Sequence, residues 1–374
     1  MTDSSIDRVY KYIENNVLKN IKNVDNIDDY IIENIYKNLI ISCEYNISRD
    51  FIRNRLQKIK SYKKQLKEIN KIPIIVQRSD EWFNTRKNLI TASDMAQALN
   101  KGKFGNQKEF LIKKINSLLN NNNKYVQSDN IALVWGVKYE EVANMIYMRR
   151  NDIKVYEYGL IKHPTISCFG ASPDGISELG VMLEIKCPFR RVINGTIPEQ
   201  YWMQIQGQLE VCDLEECDYL ECKISEYQSE KEFLDDTSED NILTKDLNEK
   251  GIIFDYKENN ETKYIYSKLD MTTEELLEWK RDTIVEFDIS VDYNITYWRL
   301  DKYLCNRVYR DKEFFEDNIK KLQYLWDKII YYLNNNNKYF NDIVSSKKKI
   351  IFDFKELNET ILTNFAFVND DENF

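Results

Sequence analysis

All five prolines (73, 164, 173, 188 and 198) and nine of the ten glycines (102 to 207) fall in the middle of a 374-residue chain. Both residue types punctuate turns and break helices, so their distribution separates a turn-rich α/β middle from flanks built of long elements. Boundaries near 72 and 225 follow. They divide the chain into a helical region (1–72), an α/β core (73–225) and a third region (226–374) in which an acidic insertion, a β-hairpin and a helical C-terminal part complete the core. Apolar spacing predicts helices over 4–20, 26–42 and 48–69. Further on, "GIIFDYKENNETKYIY" reads as a strand pair around a turn, "TTEELLEWKRDTI" as a helix with a capping box at Thr272 or Thr273, and 311–333 as a long amphipathic helix.

Several function classes are disfavoured by composition. No stretch approaches the roughly 18 uninterrupted apolar residues of a membrane span, so no membrane is expected. The first sixteen residues lack the basic and apolar regions of a secretion signal, so the expectation is an intracellular protein, in the cytoplasm or nucleus. Seven cysteines with no CxxC pair indicate neither a disulfide framework nor a thiolate zinc site, and Cys212, Cys217 and Cys222 read as reduced core thiols. With His163 as the only histidine, any metal must be held by oxygen, which points to a hard cation. A net charge of −9 argues mildly against nucleic acid, yet charge is local: Arg53 to Lys71 carries eight basic residues against one acid. That helix suits a phosphate backbone or, equally, the solvated face of a bundle.

The chemistry is concentrated in "GASPDGISELGVMLEIKCP" (170–188). Side chains alternate along a strand, so Leu183, Ile185 and Cys187 share one face while Glu184 and Lys186 share the other. Burying that pair without partners is expensive. Asp174 sits in a turn, and a hairpin returning through Gly180 brings it beside Glu184. Clustered carboxylates repel until a cation joins them, and a lysine beside such a centre orients a nucleophilic water or stabilises charge on a phosphorane. The set points to metal-assisted phosphodiester hydrolysis.

This Asp, then Glu-x-Lys, arrangement resembles the PD-(D/E)XK nuclease fold, an α/β core with a mixed sheet flanked by helices. Five ordered segments, "EWFNTRKNLITASDMAQAL" (81–99), "ALVWGVKYEEVANMIY" (132–147), "GASPDG", "LEIKCPF" and "YWMQIQGQLEV" (201–211), resemble the lambda exonuclease and YqaJ-like viral recombinase family, and the C-terminal stretch 297–329 resembles relatives from large eukaryotic DNA viruses. The resemblance implies a Mg²⁺-dependent (or Mn²⁺-dependent) exonuclease that uses one or two ions. It would degrade double-stranded DNA 5′ to 3′ from a free end, release 5′-mononucleotides and leave single-stranded tails for recombination, repair or replication. A single-strand annealing protein is the implied partner; a ring-shaped trimer is not carried over, given the added flanks. Other readings are an endonuclease on the same site and a non-catalytic DNA-binding relative.

Residue by residue, the resemblance makes Asp174 and Glu184 metal ligands, with the Ile185 carbonyl a further one, and Lys186 the catalytic lysine. It makes Glu140 the helix-borne carboxylate, preferred over Glu141. Gln204 and Gln206 match the supporting glutamines; on a helix they lie about 200° apart, so one faces the site, with Gln206 favoured. Arg86, Thr91 and Ser93 match a pocket for the 5′-phosphate, although Thr91-x-x-Asp94 is also an ordinary capping box. Trp298, Trp326, His163 and Cys187 are expected to be packing residues.

Overall fold

A computed structural model describes residues 9–15, 29–42, 47–103, 105–119, 130–258, 261–286, 292–335 and 338–344. The N-terminal region holds helices α1 (9–15), α2 (Asp29–Ser42) and α3 (Arg49–Ile69). Ser48 caps α3 by accepting the Phe51 N–H, and its buried residues Ile52, Arg55, Leu56, Ile59, Tyr62, Leu66 and Ile69 fall on one face. Lys58, Lys60, Lys64 and Lys67 stay exposed on the rest of its surface. The outer parts of the helices expected over 4–20 and 26–42, and the chain beyond 344, lie outside the described residues.

The core is a seven-stranded mixed sheet in the order β2-β5-β6-β7-β10-β8-β9. Its strands are β2 (Val155–Tyr156), β5 (Gly175–Ser177), β6 (Met182–Lys186), β7 (Glu216–Glu226), β8 (Lys250–Glu258), β9 (Glu261–Tyr266) and β10 (Tyr293–Tyr309). Only β6 and β7 run parallel; the other neighbours are antiparallel. A small sheet, β1 (Ile90–Thr91), β4 (Phe169–Ala171) and β3 (Ile161–Lys162), lies beside it. Helix α7 (Ile131–Asn151) covers one face, where Tyr139, Val142 and Ile146 pack with Leu183, Ile185, Leu220 and Trp298. On the other face α8 (Glu199–Val211) and α11 (Lys312–Asn334) pack with α5 (Met95–Ala98) and α6 (Gln107–Leu119) against Met182 and Tyr219. The expected α/β architecture, a mixed sheet flanked by helices with helical additions, is the one observed.

Two features attach the N-terminal helices to the core. Leu179, at the β5–β6 turn, is fully buried among Val9, Ile13, Ile35, Ile52 and Ile59, and Gly180 (φ +80°) lies so close to the Tyr62 backbone that a Cβ would meet it at 2.8 Å. Below that turn lies a buried ionic network. Arg55 donates to Glu14 and to both Glu216 oxygens (2.5 and 2.8 Å), and Tyr62 donates to Glu216 (2.7 Å). Arg307 donates to Glu216 (2.5 Å), Asp218 (2.6 Å) and Glu14 (3.3 Å), and Lys11 lies 3.9 Å from Asp218.

The structure also places the residues expected to be structural. Trp298 is buried and Trp326 packs on the core. The His163 ring lies parallel to Phe315, and its Nδ1 accepts the Thr165 and Ile166 N–H groups. Cys212, Cys217 and Cys222 are free and buried, and burial pushes all three thiols up. The Cys187 thiol faces α7 and donates to the Tyr139 carbonyl. Thr272 and Glu275 form the capping box that starts α10 (Thr273–Glu286). Among the described residues no helix is long and apolar enough to cross a membrane.

Candidate active site

The β5–β6 hairpin carries the central residues. Gly175 pairs with Leu183 and Ile176 with Met182, which returns the chain so that the carboxylate of Asp174, one residue before β5, accepts the Ile185 N–H at 2.7 Å. Alternation then points Leu183 and Ile185 at α7 and Glu184 at α8. Glu184 is fully buried. Its Oε1 receives the Lys186 ammonium and the Gln204 amide (2.7 Å), and its Oε2 receives the Gln208 amide (2.7 Å). Lys186 keeps partial access to solvent and lies 5.2 Å from the Tyr201 ring centre. Glu140, in the second half of α7's first three turns, stays a third exposed (32%) and meets Arg78 at 3.5 Å. Arg78 has φ +66°, in a region where a non-glycine residue is strained. Glu141 turns away and accepts from Asn144.

These carboxylates crowd one another electrostatically. Burial pushes the Asp174 carboxyl well above its ordinary value, and Glu184 and Glu140 push it further against the opposing pull of Lys186 and the Ile185 N–H. Burial also raises Glu140, helped by Glu184 and Glu157 and opposed by Arg78 and Lys186. Lys186 is raised as well, but against burial rather than by it: burial lowers its value, and Glu184 and Asp174 outweigh that and hold the ammonium form. The donor set is all oxygen, as a hard cation requires. As the side chains stand, however, no three His, Cys, Asp or Glu among the described residues converge to hold a metal ion. Both Glu184 oxygens accept N–H donors, Oε1 from Lys186 and Gln204 and Oε2 from Gln208.

The expectation that Gln206 faces the site is corrected. Its amide donates to the Tyr309 carbonyl (3.0 Å) and its oxygen accepts the Asp311 N–H (2.7 Å), which pins the end of β10 to the start of α11. The helix instead turns Gln204 inward, together with Gln208, which the sequence reading missed. Their i,i+4 spacing was the available signal. Gln208 also reaches the Ser172 carbonyl (3.3 Å), and its own oxygen is buried without a partner.

A second cluster forms where α4 (Asp80–Lys87) meets β1. Arg86 lies 4.7 Å over the Trp82 ring and donates to Ser93 Oγ (2.7 Å), which is 3.0 Å from Thr91 Oγ1. Thr91 donates to Asp94 through both its hydroxyl (2.8 Å) and its N–H (3.1 Å), so the capping box is real and coexists with the cluster. Trp82 Nε1 donates to Ser172 Oγ (2.9 Å). Ser172 therefore links this cluster, through Gln208, to Glu184.

Residues 81–215 match the family profile described as a YqaJ-like viral recombinase domain. An uncharacterized protein of Acanthamoeba polyphaga mimivirus is 33% identical over 347 residues, covering 82% of this chain; the chain spans 61% of the length of that relative. Among solved structures, the chain is similar to an alkaline exonuclease (LHK-Exo) from Laribacter hongkongensis (TM-score 0.44, 20% identity, 71% of this chain and 99% of that one). It is also similar to a phage-related exonuclease from Haemophilus somnus 129PT (TM-score 0.36, 11% identity, 69% and 99%). Both residue clusters, and all five segments singled out in the sequence, lie within or at the borders of residues 81–215, the stretch in which the chain is similar to the YqaJ-like viral recombinase domain.

Proposed function

We propose that this protein is a divalent-metal-dependent exonuclease that degrades double-stranded DNA from a 5′ end. The observation that carries the reading is the crowding of Asp174, Glu184 and Glu140 around Lys186 at the end of one hairpin: three acids face one lysine and a more distant Arg78. Such an excess of buried negative charge is unfavourable to folding unless it serves a cation. Asp174 and Glu184, with Glu140 and the Ile185 carbonyl, are the groups that would hold Mg²⁺ or Mn²⁺. When bound, the ion supplies an activated water and charge neutralisation at the phosphate.

The chain's own residues do the rest. The Ile185 N–H fixes the Asp174 carboxylate against β6, and Gln204 and Gln208 fix Glu184 from α8. Lys186, once it leaves Glu184, places its ammonium beside the scissile phosphate, where it offsets charge that develops during attack. Arg86, Thr91 and Ser93 receive the 5′-phosphate, the guanidinium by a paired contact and the hydroxyls as further donors. A terminal phosphate held there sets a 5′-to-3′ direction, with mononucleotide products and single-stranded 3′ tails suited to recombination with an annealing partner.

The test is a timed digest of end-labelled linear duplexes beside closed circles, with Mg²⁺, Mn²⁺, Ca²⁺ and EDTA. The expected result is mononucleotide release from 5′ ends of linear DNA with Mg²⁺ or Mn²⁺, and none with EDTA. Cutting of the closed circle would overturn the exonuclease reading, and undiminished cutting in EDTA would overturn the metal.

A further inference from the structure

Beneath the Arg86 cluster lies a charged group with no part in the reading so far. Lys114, in the middle of α6, has only 10% of its side chain exposed and sits among Phe110, Leu111 and Ile115. A lone ammonium in such surroundings is costly unless every proton finds an acceptor. Here its three donors meet three: the Leu89 carbonyl (2.6 Å), the Arg86 carbonyl (3.3 Å) and Asp94 Oδ2 (3.4 Å). Two of these acceptors belong to the turn from α4 into β1, the short connection that sets Arg86 relative to Thr91 and Ser93. The third is the carboxylate that holds both Thr91 donors.

We infer that Lys114 is a positioning residue for 5′-phosphate recognition, acting by neutralising Asp94 and tying down the Arg86–Leu89 turn. This rests on the reading of Arg86, Thr91 and Ser93 as the phosphate pocket. Two cations, Arg86 and Lys114, stand against one carboxylate, so the cluster keeps a net positive charge for an anion. Without Lys114 the balance falls to zero, because the Asp94 carboxylate behind Thr91 then cancels the Arg86 charge that would meet the phosphate. The surroundings agree with this. Burial works to raise Asp94, but Lys114 and Arg86 outweigh it and keep the carboxyl below its ordinary value; Lys114 is lowered by burial, with Asp94 opposing.

The test compares equilibrium binding of 5′-phosphorylated and 5′-hydroxyl duplexes in EDTA, where nothing is hydrolysed, using the full chain. The readout is the ratio of the two affinities, which a general loss of folded protein does not move. Lys114→Met is expected to lower that ratio about tenfold, the scale of one charge-assisted contact. Lys114→Arg should retain most of it, and Lys114→Met combined with Asp94→Asn should recover it. If Lys114→Met does not fold, the double variant decides alone: a preserved ratio supports the inference, and a lost one overturns it. A folded Lys114→Met with the wild-type ratio, or a double variant that fails to recover, overturns the inference while a lost ratio in Arg86→Ala leaves the pocket standing. Equal binding of both duplexes by the wild-type protein would remove the pocket and this inference together.

Discussion

Two groups of charges gather against one sheet and behave in opposite ways. In the network under the N-terminal helices, Glu14, Glu216 and Asp218 face Arg55, Arg307 and Lys11, three acids against three bases. Burial acts to raise Glu216, yet hydrogen bonds from Arg55 and the charges of Arg307 and Arg55 pull it down to about 2, and Asp218 lies well below its ordinary value for the same kinds of reason. Around the β5–β6 hairpin the same burial wins: Asp174 is pushed up by burial and then by Glu184 and Glu140, and Glu140 is pushed up by burial against the opposing charges of Arg78 and Lys186. The paired network is finished chemistry, with partners for its charges inside the chain. At the hairpin the chain leaves negative charge uncompensated, which marks it as a place where something from outside completes the balance.

Substitutions at the hairpin give the largest expected effect. Lys186→Ala should reduce hydrolysis about 10³-fold, as removal of a principal charge-stabilising donor does elsewhere, while DNA binding stays measurable. Asp174→Asn should abolish hydrolysis too, yet raise the melting temperature, because it relieves crowding and keeps an acceptor for the Ile185 N–H. Retained activity in either, measured by release of labelled nucleotide, breaks the assignment; a lowered melting temperature in Asp174→Asn breaks the contrast. The network should respond in reverse. Arg307→Met leaves Glu14, Glu216 and Asp218 with only Arg55 and Lys11 as counter-charges, and a loss of about 3–5 kcal/mol in denaturant unfolding is expected. A loss below about 1 kcal/mol would mean that these charges are not the balanced, structural set described here.

Acid titration sharpens the contrast further. Glu216 has a folded-state value depressed below its unfolded one, so its stabilisation is complete above the ordinary glutamate range and disappears as pH falls toward about 2. Unfolding free energy measured across that window should fall steeply in the wild-type protein and less steeply in Glu216→Gln, whose baseline stability is already lower. Identical pH slopes in the two proteins would remove Glu216 as a source of acid sensitivity.

Much of the site was legible because its logic is local. Strand alternation placed Glu184 and Lys186 on one face, and the Pro-Asp-Gly turn placed Asp174 beside them, since a hairpin needs only short-range geometry. The Arg86, Thr91 and Ser93 set came from the resemblance of residues 81–99 to the family's opening segment, since local spacing alone offers only the capping box at Thr91 and Asp94. What escaped depends on distant contacts. Arg78 reaches Glu140 across 62 residues, and Lys114 reaches the α4–β1 turn from a separate helix. Arg55 looked like one more base in a lysine-rich helix, and only its place at i+3 from Ile52 among the apolar residues hinted that it is buried. No spacing rule reveals that its partners are Glu14 in α1, 41 residues away, and Glu216 in β7, 161 residues away.

The smallest expected effects separate the glutamines of α8, and they test the contrast at the level of single hydrogen bonds. Gln204 and Gln208 lie four apart and both donate to Glu184, whereas Gln206 lies on the opposite side of the helix and ties Tyr309 to Asp311. Gln206→Met leaves a carbonyl and an N–H unpaired at a buried junction, so a loss of about 1–3 kcal/mol in stability is expected, with hydrolysis per folded molecule preserved. Gln204→Met removes a donor from a carboxylate that still keeps Lys186 and Gln208. Stability should change by less than about 1 kcal/mol, but Glu184 Oε1 is then held by Lys186 alone, and hydrolysis should fall about tenfold through misplacement of that one oxygen. Denaturant curves and single-turnover digests on the same two preparations measure both quantities. A variant at 206 that loses activity while keeping its stability would return Gln206 to the site and show that α8 presents a different face to the DNA.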